Sequence, residues 1–315
     1  MNLIEAFGGV FSIILMVSLG VALYVKGWIK SDTEDFITKF VLKITIPLFM
    51  FVNGYHNVTA EFLESSWKQV LIAFASIIIA YLLGFGFSIL FKIPKNERGI
   101  CTMIFSLSNT LFVGLPVCTY YFGQEAIPSV IMYYMANTVM FWTVGTAMIA
   151  HDAGQITHFS LKTLGSIFSP PVTGFVFGGV IAMAGITMPR FLEETLSSVG
   201  AMTTPLVTIL TGFVIAKAGT KRMLSFTRTS VLGLFGRYIV SPLIMIGLLV
   251  MFAPTQLTAK TFVLQSAMPV MNQSLLSAAY YKANDTVVAQ ALATSVILMM
   301  VFTPAYVLIG NMLFR

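Results

Sequence analysis

Long apolar runs constrain this chain more than any other feature of its sequence. Each run is about 20 residues long, enough for a helix to cross the hydrocarbon core of a bilayer, and short polar breaks separate the runs. Hydrophobic residues make up 57% of the 315 residues and charged residues only 10%. Because soluble domains carry about 25% charged residues, this composition predicts an all-α polytopic membrane protein and excludes a soluble enzyme or nucleic-acid-binding protein.

Ten transmembrane helices are predicted from the apolar runs. The breaks between them, such as KGWIKSDTED (26–35) and KIPKNERG (92–99), are too short to hold a soluble domain. The predicted spans are 6–25, 36–55, 68–91, 99–122, 127–149, 166–186, 195–215, 230–252, 259–281 and 286–313.

The basic residues predict the orientation of the spans. Lys and Arg are concentrated in the odd-numbered loops, which the positive-inside rule places in the cytoplasm. We therefore predict a multi-pass protein of the cell (plasma) membrane with both termini outside the cytoplasm, and ascribe the net charge of +6 to topology. The odd loops contain Lys26, Lys30, Lys92, Lys95, Arg98, Lys162, Lys217, Lys221, Arg222, Arg228 and Lys282, and the even loops and termini contain Lys68, Arg190, Lys260 and Arg315.

Two pairs of similar segments indicate an internal repeat. ITIPLFMFVNG (44–54) aligns with MTTPLVTILTG (202–212), and YYFGQEA (120–126) aligns with YYKANDT (280–286), at offsets of 158 and 160 residues. Each half contains five spans, an odd number, so the two halves must enter the membrane from opposite sides. The sequence therefore predicts a 5+5 inverted repeat. Its parts are a first repeat at 1–150, a cytoplasmic linker at 151–165 and a second repeat at 166–315.

Polar residues interrupt the fourth and ninth spans about ten residues from the start of each, near the bilayer midplane. Broken helices persist in a membrane only where protein or a water-filled cavity surrounds them. In inverted-repeat carriers their half-helix N-termini attract an anionic substrate. The alternative is that these polar residues only join neighbouring helices by hydrogen bonds. The predicted substrate-binding residues at the breaks are Ser108, Asn109, Thr110, Pro269, Val270, Asn272 and Gln273.

The predicted spans contain two interior basic residues, Lys43 in the second and Arg237 in the eighth, and no Asp, Glu or His. An intramembrane base is a candidate functional residue, so both are predicted to contact an anionic substrate. Lys43 could instead extend its amine to the cytoplasmic interface, and Arg237 could pair with carbonyls near Ser241 and Pro242. The same inventory predicts no catalytic residue, metal site or cofactor.

Three segments resemble the auxin efflux carrier family, which includes plant auxin efflux carriers and bacterial malonate and malate permeases. They are KFVLKITIPL (39–48), SNTLFVGLP (108–116) and SAMPVMNQSLLSAAYY (266–281), and the resemblance extends over essentially the whole chain. The absence of a long central loop makes the chain similar to a bacterial member. One position departs from the plant pattern, because Ser108 stands where the plant carriers have a proline before the Asn.

The resemblance implies an elevator-type carrier in which helices four and nine cross. It implies a scaffold domain made of spans one, two, six and seven, and a transport domain made of spans three to five and eight to ten. Bacterial relatives imply a small dicarboxylate substrate such as malonate or malate. We also expect a homodimer formed through the scaffold domain.

These observations predict a secondary transporter of a small organic anion, acting in the lipid bilayer and not as an enzyme. An intramembrane hydrolase would need paired Asp, a Ser-His dyad or a metal-binding motif inside the spans. An anion-sensing membrane receptor or channel is the stronger alternative, since broken helices also line pores. Uniport, exchange, and coupling to Na⁺ or H⁺ are all compatible with the sequence, because backbone carbonyls at a broken helix can hold Na⁺.

Overall fold

The computed structural model describes residues 15–28, 31–58, 60–155, 170–218, 226–252 and 254–314. The regular elements in these ranges are helices, and the single β-type pairing recorded there is an isolated bridge between Ser108 and Val270. The prediction of a helical chain is therefore confirmed for this part of the protein. The start of the first predicted span and most of the predicted linker at 151–165 lie outside the described residues.

Helices lie at the predicted positions in the first half of the chain. Those of spans two and five contain a π-helical turn, at Val41–Thr45 and Phe141–Gly145 respectively. The helices are α1 (Leu15–Val25), α2 (Ser31–Phe40), α3 (Ile46–Asn57), α4 (Ala60–Leu90), α5 (Arg98–Ser106), α6 (Leu115–Phe122), α7 (Ile127–Met140) and α8 (Thr146–Asp152).

The second half follows the same pattern, with a π-helical turn at Gly236–Val240 in span eight. Its helices are α9 (Pro170–Met183), α10 (Arg190–Ala201), α11 (Thr203–Ala218), α12 (Arg228–Phe235), α13 (Ser241–Phe252), α14 (Gln256–Ser266), α15 (Gln273–Tyr281) and α16 (Asp285–Leu313).

Among the described residues, three helical segments are long and apolar enough to cross a membrane by length and composition alone. They are Trp67–Leu90, Arg228–Phe252 and Asp285–Leu313. The chain is thus consistent with a helical membrane protein. The number of crossings and the orientation of the termini stay predictions.

Short polar side chains begin the helices of spans eight, nine and ten. The hydroxyls of Thr227 and Thr255 accept a hydrogen bond from the backbone N–H three residues later, as does the amide oxygen of Asn284. Each satisfies one of the N–H groups that a helix start leaves without an intrahelical partner. These three N-cap residues therefore define where the helices of spans eight, nine and ten start.

Span four is anchored at its first turn by acidic groups outside the predicted membrane region. The Asp152 carboxylate accepts a hydrogen bond from the Ile100 N–H at 2.8 Å, and burial raises the pKa of Asp152 to about 6 against the opposing effect of that N–H. Glu97 accepts hydrogen bonds from the Thr229 hydroxyl and from the Asn284 amide. These contacts tie the start of span four to the starts of spans eight and ten and to the end of span five.

The helices pack in two groups. In one group, α3 lies against α9 and α10. In the other, α4 packs on α5, α7 and α13, while α14 packs on α7 and α16. The first group contains spans two and six and the start of span seven, and the second contains spans three, four, five, eight, nine and ten. The rest of span seven, α11, contacts α15 and α16 of the second group. That these groups are a scaffold domain and a transport domain stays a prediction.

Helices α3 and α9 are in direct backbone contact through glycine. A Cβ atom on Gly54 would lie 2.1 Å from the carbonyl oxygen of Phe175. A Cβ atom on Gly178 would lie 2.0 Å from the carbonyl oxygen of Phe51. Real Cβ atoms do not approach carbonyl oxygens so closely, and only glycine permits this packing.

Helices α1 and α11 make the same contacts at positions shifted by 158 residues. A Cβ atom on Gly212 would lie 1.9 Å from the carbonyl oxygen of Val17, and one on Gly20 would lie 2.0 Å from that of Ile209. Gly54 and Phe175 correspond at this offset to Gly212 and Val17, with the roles of the two halves exchanged. The offset is the one that aligns the first pair of sequence segments.

Gly54→Ala tests this contact. The added methyl group would meet the Phe175 carbonyl, so α3 and α9 would have to separate, at a cost of about 1–3 kcal/mol for overpacking. We expect a lower thermal unfolding midpoint for the detergent-purified variant.

Gly247→Ala is the matched control, because a Cβ atom there has no heavy atom within 4 Å. This helical position should be unchanged or slightly stabilised by alanine. Equal midpoints for the two variants would contradict the close-contact interpretation.

Candidate substrate site

The breaks in spans four and nine cross each other inside the second helix group. Helix α5 ends at Ser106 and α14 at Ser266, and the residues that follow each of them leave the helical conformation. Ser108 and Val270 form an antiparallel bridge, and the Asn109 N–H donates to the Pro269 carbonyl at 2.7 Å. The structure thus brings Ser108 and Asn109 of the first break against Pro269 and Val270 of the second, and each break begins one residue earlier than predicted.

An amide side chain that sequence reasoning missed holds the first break. The Asn137 Oδ1 atom accepts a hydrogen bond from the Ser108 N–H at 3.1 Å, and its Nδ2 atom donates to the Ser108 carbonyl at 2.9 Å. One side chain of span five therefore bonds to both backbone polar groups of Ser108. The available signal was a lone amide in an apolar run, because a buried Asn in a membrane helix requires hydrogen-bond partners.

Ser295 of span ten, also missed, supports the second break. Its hydroxyl accepts a hydrogen bond from the Val270 N–H at 3.1 Å, and its carbonyl accepts one from the Tyr238 hydroxyl. The two supporting residues lie on the last span of each half. A hydroxyl among many in the apolar spans carried no distinctive signal in the sequence.

The second half-helices begin beside the crossing. Thr110 opens a π-helical turn at Thr110–Gly114 that continues into α6, and Asn272 precedes α15. The first N–H groups of such helices have no acceptor within the helix. Asn109, Thr110, Asn272 and Gln273 are all buried. The region therefore combines two positive helix ends with little access to solvent.

Three buried polar atoms near these helix starts have no hydrogen-bond partner among the described residues. They are Thr110 Oγ1, Gln273 Oε1 and Ser274 Oγ. Buried polar groups are usually satisfied, and unsatisfied ones require an explanation such as a ligand or an ordered water. These atoms lie next to the half-helix N-termini and so mark the same region as the crossing.

Gln265, another residue that was not predicted, fills the space between the two broken helices. Its Nε2 atom lies 3.5 Å from Cys118 Sγ, and a Cβ atom on Gly114 would lie 2.2 Å from its Oε1 atom. The glycine in LFVGLP therefore provides room for this amide. Gln265 links the last turn of α14 to the start of the second half of span four.

Lys43 lies in the π-helical turn of span two, on the wall of a cavity of about 110 Å³ between the two helix groups. Lys43 is an exposed residue that shares this cavity with residues of spans five and nine, and the lining does not include the residues of the crossing. Ser277 lies one helical turn after Gln273, so the cavity begins about 5–6 Å along α15 from the crossing. The cavity is lined by Leu42, Lys43, Trp142, Thr146, Pro170, Ser277, Tyr280 and Tyr281.

Arg237 is enclosed within the second helix group and has no exposed surface. Its Nη2 atom donates to the Ser266 carbonyl at 2.5 Å. The expected alternative, a bond to carbonyls near Ser241 and Pro242, is thus replaced by a bond to the end of α14. Arg237 is fully buried and does not line this cavity, whereas Lys43 is exposed on the cavity wall.

Comparison with known proteins identifies the family of this chain. The profile of the family described as membrane transport protein matches residues 5–307. The chain belongs to the membrane transport protein family. The resemblance to auxin efflux carriers, which this family contains, is thereby confirmed.

Two archaeal relatives are similar to this membrane transport protein over nearly its whole length. An uncharacterized transporter of Methanothermobacter thermautotrophicus is 26% identical over 308 residues, covering 94% of this chain and 96% of its own. An uncharacterized transporter of Methanocaldococcus jannaschii is 22% identical over 290 residues, covering 90% and 92% of the two chains. The protein is a membrane transporter by family membership.

Asn137→Ala tests how the crossing of this transporter is held. The variant leaves the Ser108 N–H without a partner, at a cost of about 1–3 kcal/mol for an unsatisfied buried group, while the Ser108 carbonyl keeps only the Thr110 N–H. We expect a lower thermal unfolding midpoint and weaker substrate binding.

Ser129→Ala is the matched control on the same helix. Ser129 pairs with the Thr258 hydroxyl at 3.1 Å, and Thr258 also bonds to Thr255, so its loss leaves little unsatisfied. Weakened binding in the Ser129 variant, or unchanged binding in the Asn137 variant, would contradict a specific role for the amide.

Proposed function

We propose that the protein is a secondary carrier of a small organic anion that binds at the crossing of spans four and nine. One observation carries the proposal: the Ser108–Val270 bridge places two half-helix starts side by side within a shell of other helices. Each start presents backbone N–H groups and about half a positive charge. A site of this kind favours a carboxylate without requiring a charged side chain in contact with it.

Lys43 supplies the charge that two helix ends lack for a second carboxylate. Lys43 lines a cavity that also contains Ser277, one helical turn after Gln273, and the Ser277 hydroxyl is buried without a partner among the described residues. A dicarboxylate could place one group at the helix starts and the other toward this cavity. The proposal therefore favours a dianion over a monoanion.

The size of the cavity favours a short substrate. A volume of about 110 Å³ corresponds to roughly three or four water molecules at their liquid volume. A compact dicarboxylate such as malonate or malate suits this space better than an aromatic acid does. We propose that class as the substrate.

An elevator-type movement is the proposed mechanism. The glycine contacts related by 158 residues, together with the 3.0 Å hydrogen bond from Thr203 to Thr45 at the same offset, support an inverted repeat. Spans one, two, six and seven would form the scaffold and the homodimer interface. The group that holds the crossing would move with the substrate.

Counterflow in liposomes tests the proposed function. Purified protein is reconstituted with unlabelled malonate inside, and uptake of labelled malonate is measured against its external concentration. A carrier gives saturable uptake that internal substrate accelerates. Uptake that does not saturate would favour a channel, and binding without uptake would favour an anion-sensing receptor.

Lys43→Gln tests the second carboxylate. The change keeps side-chain hydrogen bonding but removes the charge, so the apparent affinity should fall more for malonate than for a monocarboxylate of similar size. A fall of about tenfold corresponds to ~1.4 kcal/mol, within the range of charge-assisted hydrogen bonds. Competition against labelled malonate measures both affinities.

Lys39→Gln is the matched control, because Lys39 is exposed one turn earlier on the same span and does not line the cavity. It should leave both affinities unchanged. Equal and small effects of the two variants would argue for a monocarboxylate or a neutral solute.

A further inference from the structure

Arg237 makes its hydrogen bond to the protein at the end of a broken helix. Its guanidinium is fully buried, and the Nη2 atom donates to the carbonyl of Ser266, the last residue of α14. The last carbonyls of a helix have no intrahelical donor and carry the negative end of the helix dipole. The arginine therefore neutralises the helix end that the break creates.

Protein carboxylates do not balance this charge in the part of the chain that the structure describes. The ion pairs found there join His56 to Glu193 and Arg190 to Glu194, and neither involves Arg237. The electrostatic neighbours of the guanidinium include the hydroxyls of Tyr81, Tyr133, Tyr238 and Tyr306.

Arg237 is also connected to the other broken helix. Tyr133, which interacts with the guanidinium, interacts with Ser108 as well. The arginine thus contacts span nine directly and shares Tyr133 as an electrostatic neighbour with Ser108 of span four. Every residue in this arrangement belongs to the helix group of spans three to five and eight to ten. The positive charge would therefore move with that group.

Burial of the Arg237 charge costs free energy, so its presence here requires an explanation. Burial of an ion without a counter-charge is strongly unfavourable, and a neutral amide could donate to the Ser266 carbonyl equally well. Carriers with broken helices commonly hold a coupling cation at half-helix C-terminal ends and unwound carbonyls. In this chain a guanidinium binds such a carbonyl.

We propose that Arg237 is a built-in cation of the moving helix group, taking the place of a coupling Na⁺ at the end of α14. This inference rests on the proposed function as an anion carrier. It adds that the anion binds beside a permanent positive charge of the protein and crosses the membrane without Na⁺. Arg237 is a positioning residue, because it is enclosed and acts through Ser266 and the end of α14.

The test compares Na⁺ with choline at matched ionic strength. For the wild-type protein we expect the same malonate counterflow and the same thermal unfolding midpoint in both salts. Arg237→Gln retains a donor for the Ser266 carbonyl but removes the charge. This variant should lose counterflow in choline and recover part of it when Na⁺ or methylguanidinium is added, and the same cations should raise its unfolding midpoint.

Two further variants complete the test. Arg237→Lys keeps the charge and should remain independent of Na⁺, so it also serves if the Gln variant does not fold. Arg190→Gln removes an exposed arginine and should behave as the wild type does in both salts.

The two proposals fail in different ways. A wild-type protein that is stabilised by Na⁺ over choline, or that transports only in Na⁺, overturns the built-in cation while leaving the anion carrier intact. An Arg237→Gln variant with full counterflow in choline overturns it too. A wild-type protein that transports no anion overturns the proposed function, and the unfolding midpoints of the wild type and the Gln and Lys variants then decide the role of Arg237.

Discussion

Backbone polar groups that leave a helix inside an apolar environment must find partners elsewhere, and the centre of this protein is arranged around that requirement. The Ser108 peptide is paired with the Asn137 side chain on both of its polar atoms, and the Asn109 N–H is paired with the Pro269 carbonyl. Because those partners come from spans five and nine, the break in span four depends on its neighbours. The crossing is thus a tertiary structure and not a property of one helix.

The backbone groups freed at the two breaks are bonded by different kinds of side chain. Asn137 supplies a donor and an acceptor to the first break, whereas Ser295 supplies an acceptor to the second and Arg237 supplies a donor nearby. The supporting side chains at the two breaks are therefore unequal. The half that contains Pro269 has one backbone donor fewer to satisfy, since proline lacks an N–H group.

Much of the fold could be predicted because the relevant signals are local. Apolar runs placed most helices within a few residues, although α4 begins at Ala60, eight residues before its predicted span, and the Ser-Asn-Thr and Met-Pro-Val segments marked both breaks. Asn137, Ser295 and Gln265 could not be assigned in this way, since their roles depend on contacts between residues far apart in the chain. Arg237 was recognised as unusual, but its acceptor at Ser266 depends on how spans eight and nine pack.

Both interior basic residues lie in π-helical turns, Lys43 in Val41–Thr45 and Arg237 in Gly236–Val240. Such a turn contains one residue more than the α-helical turn it replaces, so it behaves as a single-residue insertion accommodated within a continuous helix. Each residue of an α-helix turns the chain by about 100°. Deletion of one residue from either turn would therefore rotate the two flanking helical segments by about that angle relative to each other. Sequence alignments of relatives that gain or lose one residue at these turns would pair side chains that point in different directions.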